Sequence, residues 1–228
     1  MAGEPWLARP EERSRVLVHD PALPRRVRPR LAEQIRANQR AGWTVEVVAG
    51  PAAPAAARDA FARAYAETMT RTGAAERYFF ERAYLDAALR FERSWLLLAR
   101  RAGVAGAGAI AAAGDGHLHY FLGATADSAR DASPFKNVVA AMLDLADQLT
   151  LPLNLGGGIA PGDGLERFKR GFANSRAAFR VHRVVCDPDA YARLTAVTAA
   201  PDAAAAPDAA ARGAGDFFPA YRAPAISG

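Results

Sequence analysis

The chain has 228 residues, 51% of them hydrophobic and 23% charged. That is the composition of an ordinary globular protein, long enough to bury a full core without disulfides or metals. The formal charge of +5 suits an anionic partner (nucleic acid, a CoA-type pyrophosphate or a membrane surface) and equally suits a mildly basic protein with none. No stretch approaches the roughly 18 uninterrupted apolar residues of a membrane span, and residues 1–15 carry no apolar run of a secretory signal.

Cys186 is the single cysteine. It can form no internal bridge and suits a reducing compartment, so a cytoplasmic protein is expected. His19, His117, His119 and His182 do not combine with it into a zinc or iron spacing, and no metal is expected. Among 29 basic residues only Lys136 and Lys169 are lysines. Such an arginine bias, with abundant alanine, is what coding pressure from a GC-rich genome produces. A lysine kept against that pressure hints at a need for a compact ammonium.

Residues 1–24 read as irregular, with Val16, Leu17 and Val18 a short strand at most. Apolar Val27, Leu31 and Ile35 at helical spacing predict a helix over 25–41, its other positions rich in arginine and Gly42 its stop. Residues 43–48 alternate as a strand. A Pro/Ala linker over 49–57 leads into two helices, 59–71 and 81–93, with an aromatic stripe that reads as core. Three strands follow at 95–100, 105–113 and 117–123, the last two joined by the Gly114-Asp115-Gly116 turn. Ser133 as N-cap and Pro134 at the first position predict a helix to about Leu149. Then come a short buried strand (151–155), a glycine-rich loop (156–164), a short helix (164–171), a strand (178–186) and a helical turn (188–194). From 196 to 228 the composition predicts a flexible tail with a terminal aromatic cluster. The expected organisation is an irregular 1–24, a domain over 25–195 and a tail. The expected class is α/β, of the layered α+β kind, with a mixed sheet.

Several segments together resemble the Fem-type (FemAB-like) branch of the GNAT N-acyltransferase superfamily. They are Ile35 to Gly42; Tyr65 to Met69 with Arg71; Tyr78 to Phe80; His119 to Thr125; Ser133 to Asn137; and, most specifically, Leu155 to Gly158 followed by Gly164 to Phe172. The resemblance spans about residues 27–194 and implies a largely antiparallel central sheet flanked by helices. Fem-type enzymes usually carry two GNAT-like lobes; here only the C-terminal type is recognisable. That leaves open a smaller acceptor, a homodimer that rebuilds the cleft, or a partner lobe.

Acyl transfer to an amine requires a held acyl donor, a route for the amine proton and donors aimed at the developing oxyanion. Gly156, Gly157 and Gly158 lie at a predicted strand end, where backbone can approach a ligand; a plain turn is the alternative. The resemblance implies that Phe168 and Lys169 position the donor and stabilise charge, with Arg170 beside them. Ser133, Lys136 and Asn137 open a helix whose free N–H groups could meet a donor phosphate. The loop over 126–132 lacks the glycines of a CoA pyrophosphate loop, which disfavours conventional CoA binding. His119, Tyr120, Asp163 and Glu166 are the candidates for proton transfer, and a dedicated base is not required. Arg36 and Arg40 could follow a tRNA backbone, or simply be solvated.

Three functions therefore stay open: an aminoacyltransferase using aminoacyl-tRNA, an N-acetyltransferase using acetyl-CoA on a small-molecule or peptide amine, and a non-catalytic GNAT-like binding module. No tightly bound cofactor is expected in any of them.

Overall fold

The computed structural model describes residues 10–198 and 217–222. Most of the expected tail lies outside the described residues. The chain divides into two compact units, Ser14–Ala178 and Met1–Arg13 with Phe179–Gly228.

The elements in chain order are β1 (Glu11–His19), α1 (Pro29–Arg40), β2 (Thr44–Ala49), α2 (Ala55–Arg71), α3 (Arg82–Ala88), β3 (Ser94–Arg101), β4 (Val104–Gly114), β5 (His117–Thr125), α4 (Phe135–Leu149), β6 (Leu153–Gly156), α5 (Gly164–Lys169), β7 (Ser175–Val181) and α6 (Pro188–Thr198). The strands form one sheet in the order β2-β3-β4-β5-β6-β1-β7. The pairs β2–β3, β3–β4, β4–β5 and β6–β1 are antiparallel, and β5–β6 is parallel. The fold is thus a mixed α/β structure with a largely antiparallel sheet flanked by helices.

Two hairpins build the centre. Ala102 (φ 49°) and Gly103 (φ 80°) turn β3 into β4, and Asp115 (φ 50°) and Gly116 (φ 72°) turn β4 into β5. Two consecutive left-handed residues match the strand twist, and Asp-Gly suits that turn. Alternation then sends Leu97 and Ala99 of β3 to one face and Leu96 and Leu98 to the other. The first face is covered by α4, through Val138, Val139, Met142 and Ala146, together with Ile35 of α1. The second is covered by α2 and α3, through Phe61, Ala64, Tyr65, Leu85 and Ala88. The alanines of β4 at 107, 109 and 111 all join the α4 face, so these small side chains leave room for the larger ones of the helix.

One irregularity matters for function. Ile110 pairs with Leu122 but Ala111 pairs with Tyr120, which leaves Phe121 as an extra residue on β5. This bulge shifts the alternation by one. Leu118 and Tyr120 pack toward α4, whereas Leu122 and Ala124 pack toward α2.

The structure corrects several boundaries. Residues 11–19 form a nine-residue strand, whose Leu17, Val18 and His19 are buried; its charged first half hides the pattern in the sequence. Residues 25–28 are extended rather than helical, because α1 begins at Pro29, a residue suited to a first helical turn. The last part of the expected linker, from Ala55, is the start of α2. Helix α3 stops at Ala88, and the Ser94 hydroxyl ties the following turn by donating to Leu89 O and Phe91 O. Ser133 does not cap α4. It sits at φ 48° and its hydroxyl donates to Arg130 O at 3.0 Å, while the helix starts at Phe135. In the smaller unit, Tyr191 stacks on Phe218 and meets Tyr221 edge to face, and its hydroxyl accepts from the Ala220 N–H at 2.9 Å.

Candidate active site

The parallel strands β5 and β6 pair only at Leu118–Leu153 and His119–Asn154. Beyond those pairs they separate and open a wedge. Tyr120, the next residue of β5, faces the α4 side of this wedge because it precedes the bulge. Phe135, at the start of α4, lies 5.9 Å from the Tyr120 ring; Phe168 of α5 lies 6.2 Å from Phe135; and Phe172 lies 5.3 Å from Phe168, edge to face. A side chain at Gly123 would collide with the Tyr120 hydroxyl and the Phe135 ring, so this position must stay bare for the two aromatics to meet.

Lys169, the last residue of α5, enters this aromatic wedge. It is 9% exposed. Its ammonium donates to Gly157 O at 2.9 Å and stands 5.2 Å over the Tyr120 ring. An ammonium has three donors; one is spent on Gly157. Among the described residues no carboxylate lies within ion-pair distance of it. Burial lowers its pKa below the ordinary lysine value, and the negative charge of Asp163 opposes that shift. Tyr120 is shifted the other way. Its side chain is half-buried, and desolvation followed by the proximity of Tyr65 raises its pKa far above the ordinary tyrosine value. At neutral pH the Tyr120 hydroxyl is therefore a proton donor. The wedge holds a desolvated cation and a neutral hydroxyl, with backbone and aromatic surface around them.

The glycine loop reaches this point by an internal scaffold. Gly156 (φ 73°) leaves β6, and its N–H donates to Asn154 Oδ1 at 2.8 Å. Asp163 caps α5 by accepting from the Glu166 N–H at 2.7 Å, and also accepts from Ile159 and Ala160. Glu166 accepts from the Gly162 N–H at 2.6 Å and pairs with Arg170. Hydrogen bonds from the Glu166 and Ala160 N–H groups hold Asp163 below the usual carboxylate range. The Gly162 N–H, then Arg170, do the same for Glu166. Both acids are thus fasteners of the loop and poorly suited as bases. Their Asp-x-x-Glu spacing is the signature of a capping box.

The structure brings together Tyr120, Phe168, Lys169, Gly156 and Gly157. Gly158 instead turns against the Asp163 carboxyl. His119 precedes Tyr120 on the strand and so faces the opposite side of the sheet, where it accepts from Asn154 Nδ2 at 3.4 Å and lies 5.9 Å from the His117 ring. Lys136 is half-buried on the first turn of α4, and burial lowers its pKa. Asn137 is buried and occupied: its Oδ1 accepts from Asn38 at 2.8 Å and its Nδ2 donates to Ile35 O at 3.1 Å, joining α4 to α1. Arg36 and Arg40 are exposed on α1. Phe135 and Gly123 complete the wedge; both lie in segments that carry the resemblance, but neither is among the expected site residues, and only the position of Phe135 just after Ser-Pro could have flagged it.

The loop before α4 is closed on itself. The N–H groups of Asp127, Ala129, Arg130 and Ser133 donate to Glu67, Ala126, Asp127 and Ala129 respectively. Arg71 pairs with the Asp127 carboxylate.

No family model matches the sequence, and no curated protein matches it by sequence. Solved structures do match. One is a crystal structure of FemX (14% identity, TM-score 0.59, 75% of this chain and 61% of that one). Another is the C-terminal domain of a putative lysylphosphatidylglycerol synthetase from Agrobacterium fabrum (17%, 0.59, 85% and 66%). A third is L-PGS from Bacillus licheniformis (12%, 0.60, 76% and 60%). The fold is GNAT-like, of the Fem type. The chain spans between three fifths and two thirds of each matched structure. No helix among the described residues is long and apolar enough to cross a membrane.

Proposed function

We propose that this chain is an acyltransferase that forms an amide bond by moving an aminoacyl group from aminoacyl-tRNA to an amine, with Lys169 as the group that meets the developing negative charge. The observation that carries this reading is the buried Lys169 ammonium at the point where β5 and β6 part, held only by Gly157 O and the Tyr120 ring among its described contacts. The amine nitrogen attacks the acyl carbon, and the carbonyl electrons move onto oxygen. A Lys169 N–H stabilises that oxyanion in a site with little water, where a charged donor is strongest. The bond from the acyl carbon to the ribose oxygen then breaks. The proton shed by the nitrogen reaches the departing oxygen, relayed by the Tyr120 hydroxyl, so no carboxylate or histidine base is needed.

The closed loop before α4 favours this donor over acetyl-CoA, because its backbone N–H groups at 127, 129, 130 and 133 are already bonded and are poorly placed to cradle a pyrophosphate. The name of one matched structure, a putative lysylphosphatidylglycerol synthetase, also agrees with aminoacyl transfer. Aminoacyl-tRNA places the reaction in the cytoplasm.

A thermal-shift titration separates the donors. A ligand at about 100 times its dissociation constant adds about 2.7 kcal/mol of stability. Aminoacylated tRNA should raise the melting temperature by a few degrees and acetyl-CoA should leave it unchanged. A rise with acetyl-CoA and none with tRNA would replace this reading by the N-acetyltransferase. No rise with either would leave the binding module.

A further inference from the structure

Beside the wedge, on the far side of the Lys169–Gly171 turn, lies a cleft of about 580 Å³ lined by Arg26, Arg28, Arg170 and Arg176. These arginines come from two parts of the chain some 140 residues apart. The extended segment before α1 supplies Arg26 and Arg28, and the segment from α5 into β7 supplies Arg170 and Arg176. The two are clipped together by the Arg28 N–H donating to Gly171 O at 2.8 Å. On its other side the first segment is fastened to α4 by Arg25, which pairs with Asp144 at 2.5 Å and Asp147 at 3.4 Å. The bases of the arginine side chains are therefore held in place.

Among the described residues no carboxylate lines the cleft. Arg170 is paired with Glu166, and the Arg176 charge also reaches that carboxylate. Arg26, Arg28 and Arg176 are exposed, and no ion pair holds any of them among the described residues. The three guanidinium groups without an ion pair around one concavity repel each other unless an anion joins them. Guanidinium forks match phosphate oxygens in geometry as well as charge. Nothing in the lining reads a base. No aromatic ring is present to stack on one. The Asn174 amide is occupied, accepting from the Asp20 N–H at 2.7 Å and donating to Asp20 O at 2.9 Å. Of the aliphatic residues in the lining, Leu17 and Ala173 are buried, Val27 is half-buried and Pro29 alone is exposed, so the cleft offers little apolar surface to a bilayer.

We propose that this cleft is a binding site for adjacent phosphate groups of a soluble ligand, a diphosphate or a phosphodiester strand, read by charge without base preference. The site is independent of the acyl-transfer reading, because it is tested by binding alone.

The test is isothermal titration calorimetry on the full chain with two probes: inorganic pyrophosphate, and a mixed-sequence ribo-oligonucleotide of ten residues. Pyrophosphate should bind saturably at one site. The double variant R26A/R28A and the single variant Arg176→Ala should each weaken binding about tenfold or more, as expected for loss of charge-assisted phosphate contacts. Arg93→Ala, an exposed arginine elsewhere, should not. Lys169→Met should bind normally, which separates this site from the wedge. If the oligonucleotide binds more tightly, is displaced by pyrophosphate and is indifferent to base composition, the source is a strand. If it does not compete, the source is a soluble diphosphate. Absence of saturable binding by both probes, binding insensitive to the cleft variants, or binding seen only with vesicles of anionic phospholipid would overturn the proposal. All four arginines are exposed or half-exposed, and a melting curve for each variant confirms that it folds.

Discussion

The two faces of the sheet are built on different principles. The face under α2 and α3 is nearly all apolar. Its partly exposed end carries a run of rings, Phe61, Tyr65, Phe80, Tyr84 and Phe121, each 4.3–6.4 Å from the next. Its one buried polar side chain among the described residues is Ser94, tied to backbone. The face under α1 and α4 buries His19, Asn38, Asn137 and Lys169. His19 bonds Asp147 at 2.7 Å, and Asn38 bonds Asn137. Desolvating such groups is costly unless each finds a partner. The first face supplies stability, whereas the second spends some of it to hold polar groups in fixed positions, one of them the ammonium of the wedge.

That contrast can be broken from either side. The largest effect should come from Phe61→Ala on the apolar face, which is 1% exposed. Emptying such a position costs about 3–5 kcal/mol. Chemical denaturation should show that loss, while any transfer activity measured below the new midpoint should persist. On the polar face, Asn137→Ala leaves the buried Asn38 amide without its acceptor, at a cost of about 1–3 kcal/mol. Adding Asn38→Ala removes the stranded amide and should recover part of the loss. If Asn137→Ala is neutral, the polar face is not held by this pair.

The smallest effect belongs to the loop. Asp163 is held below the usual carboxylate range by backbone N–H groups. The unfolded chain takes up its proton more readily, so the stability this residue contributes is whole above the ordinary value of about 3.9 and fades as pH falls through the lowered folded value. Asp163→Asn should therefore lower the melting temperature slightly at neutral pH and reduce its fall between neutral and strongly acid pH. An unchanged acid slope would remove Asp163 from the scaffold.

Much of this fold is readable from local pattern, because its determinants are local. Asp115-Gly116 dictates a hairpin, and Val138, Val139, Met142 and Ala146 dictate the buried face of α4. Strand β1 escapes that logic, since residues 11–15 are charged or polar and only Leu17, Val18 and His19 are buried. Lys169 stands out through its rarity and its place after the glycine loop. Its surroundings do not: nothing in His119-Tyr120-Phe121-Leu122 announces the bulge that turns Tyr120 toward it. The same geometry explains why His119, adjacent in sequence, faces away. Asp163 and Glu166 look like acids available for chemistry until their backbone partners are known. The arginine cleft joins segments far apart in the chain, and no pattern within either one forecasts the other.

The central claim is that the wedge stabilises an oxyanion through Lys169. The most direct measurement is the single-turnover rate of aminoacyl transfer from a pool of aminoacylated tRNA to hydroxylamine, a small amine acceptor, with the native chain and with Lys169→Met. Removing one such donor costs a factor on the order of 10²–10³. The native rate should exceed the uncatalysed background, should decline at alkaline pH below the ordinary lysine value of about 10.4 as the buried ammonium loses its proton, and should fall by that factor in the variant. The variant should be at least as stable as the native chain, because it no longer buries a charge. A Lys169→Met chain that transfers at the native rate, or a native chain no faster than the background, would contradict the account.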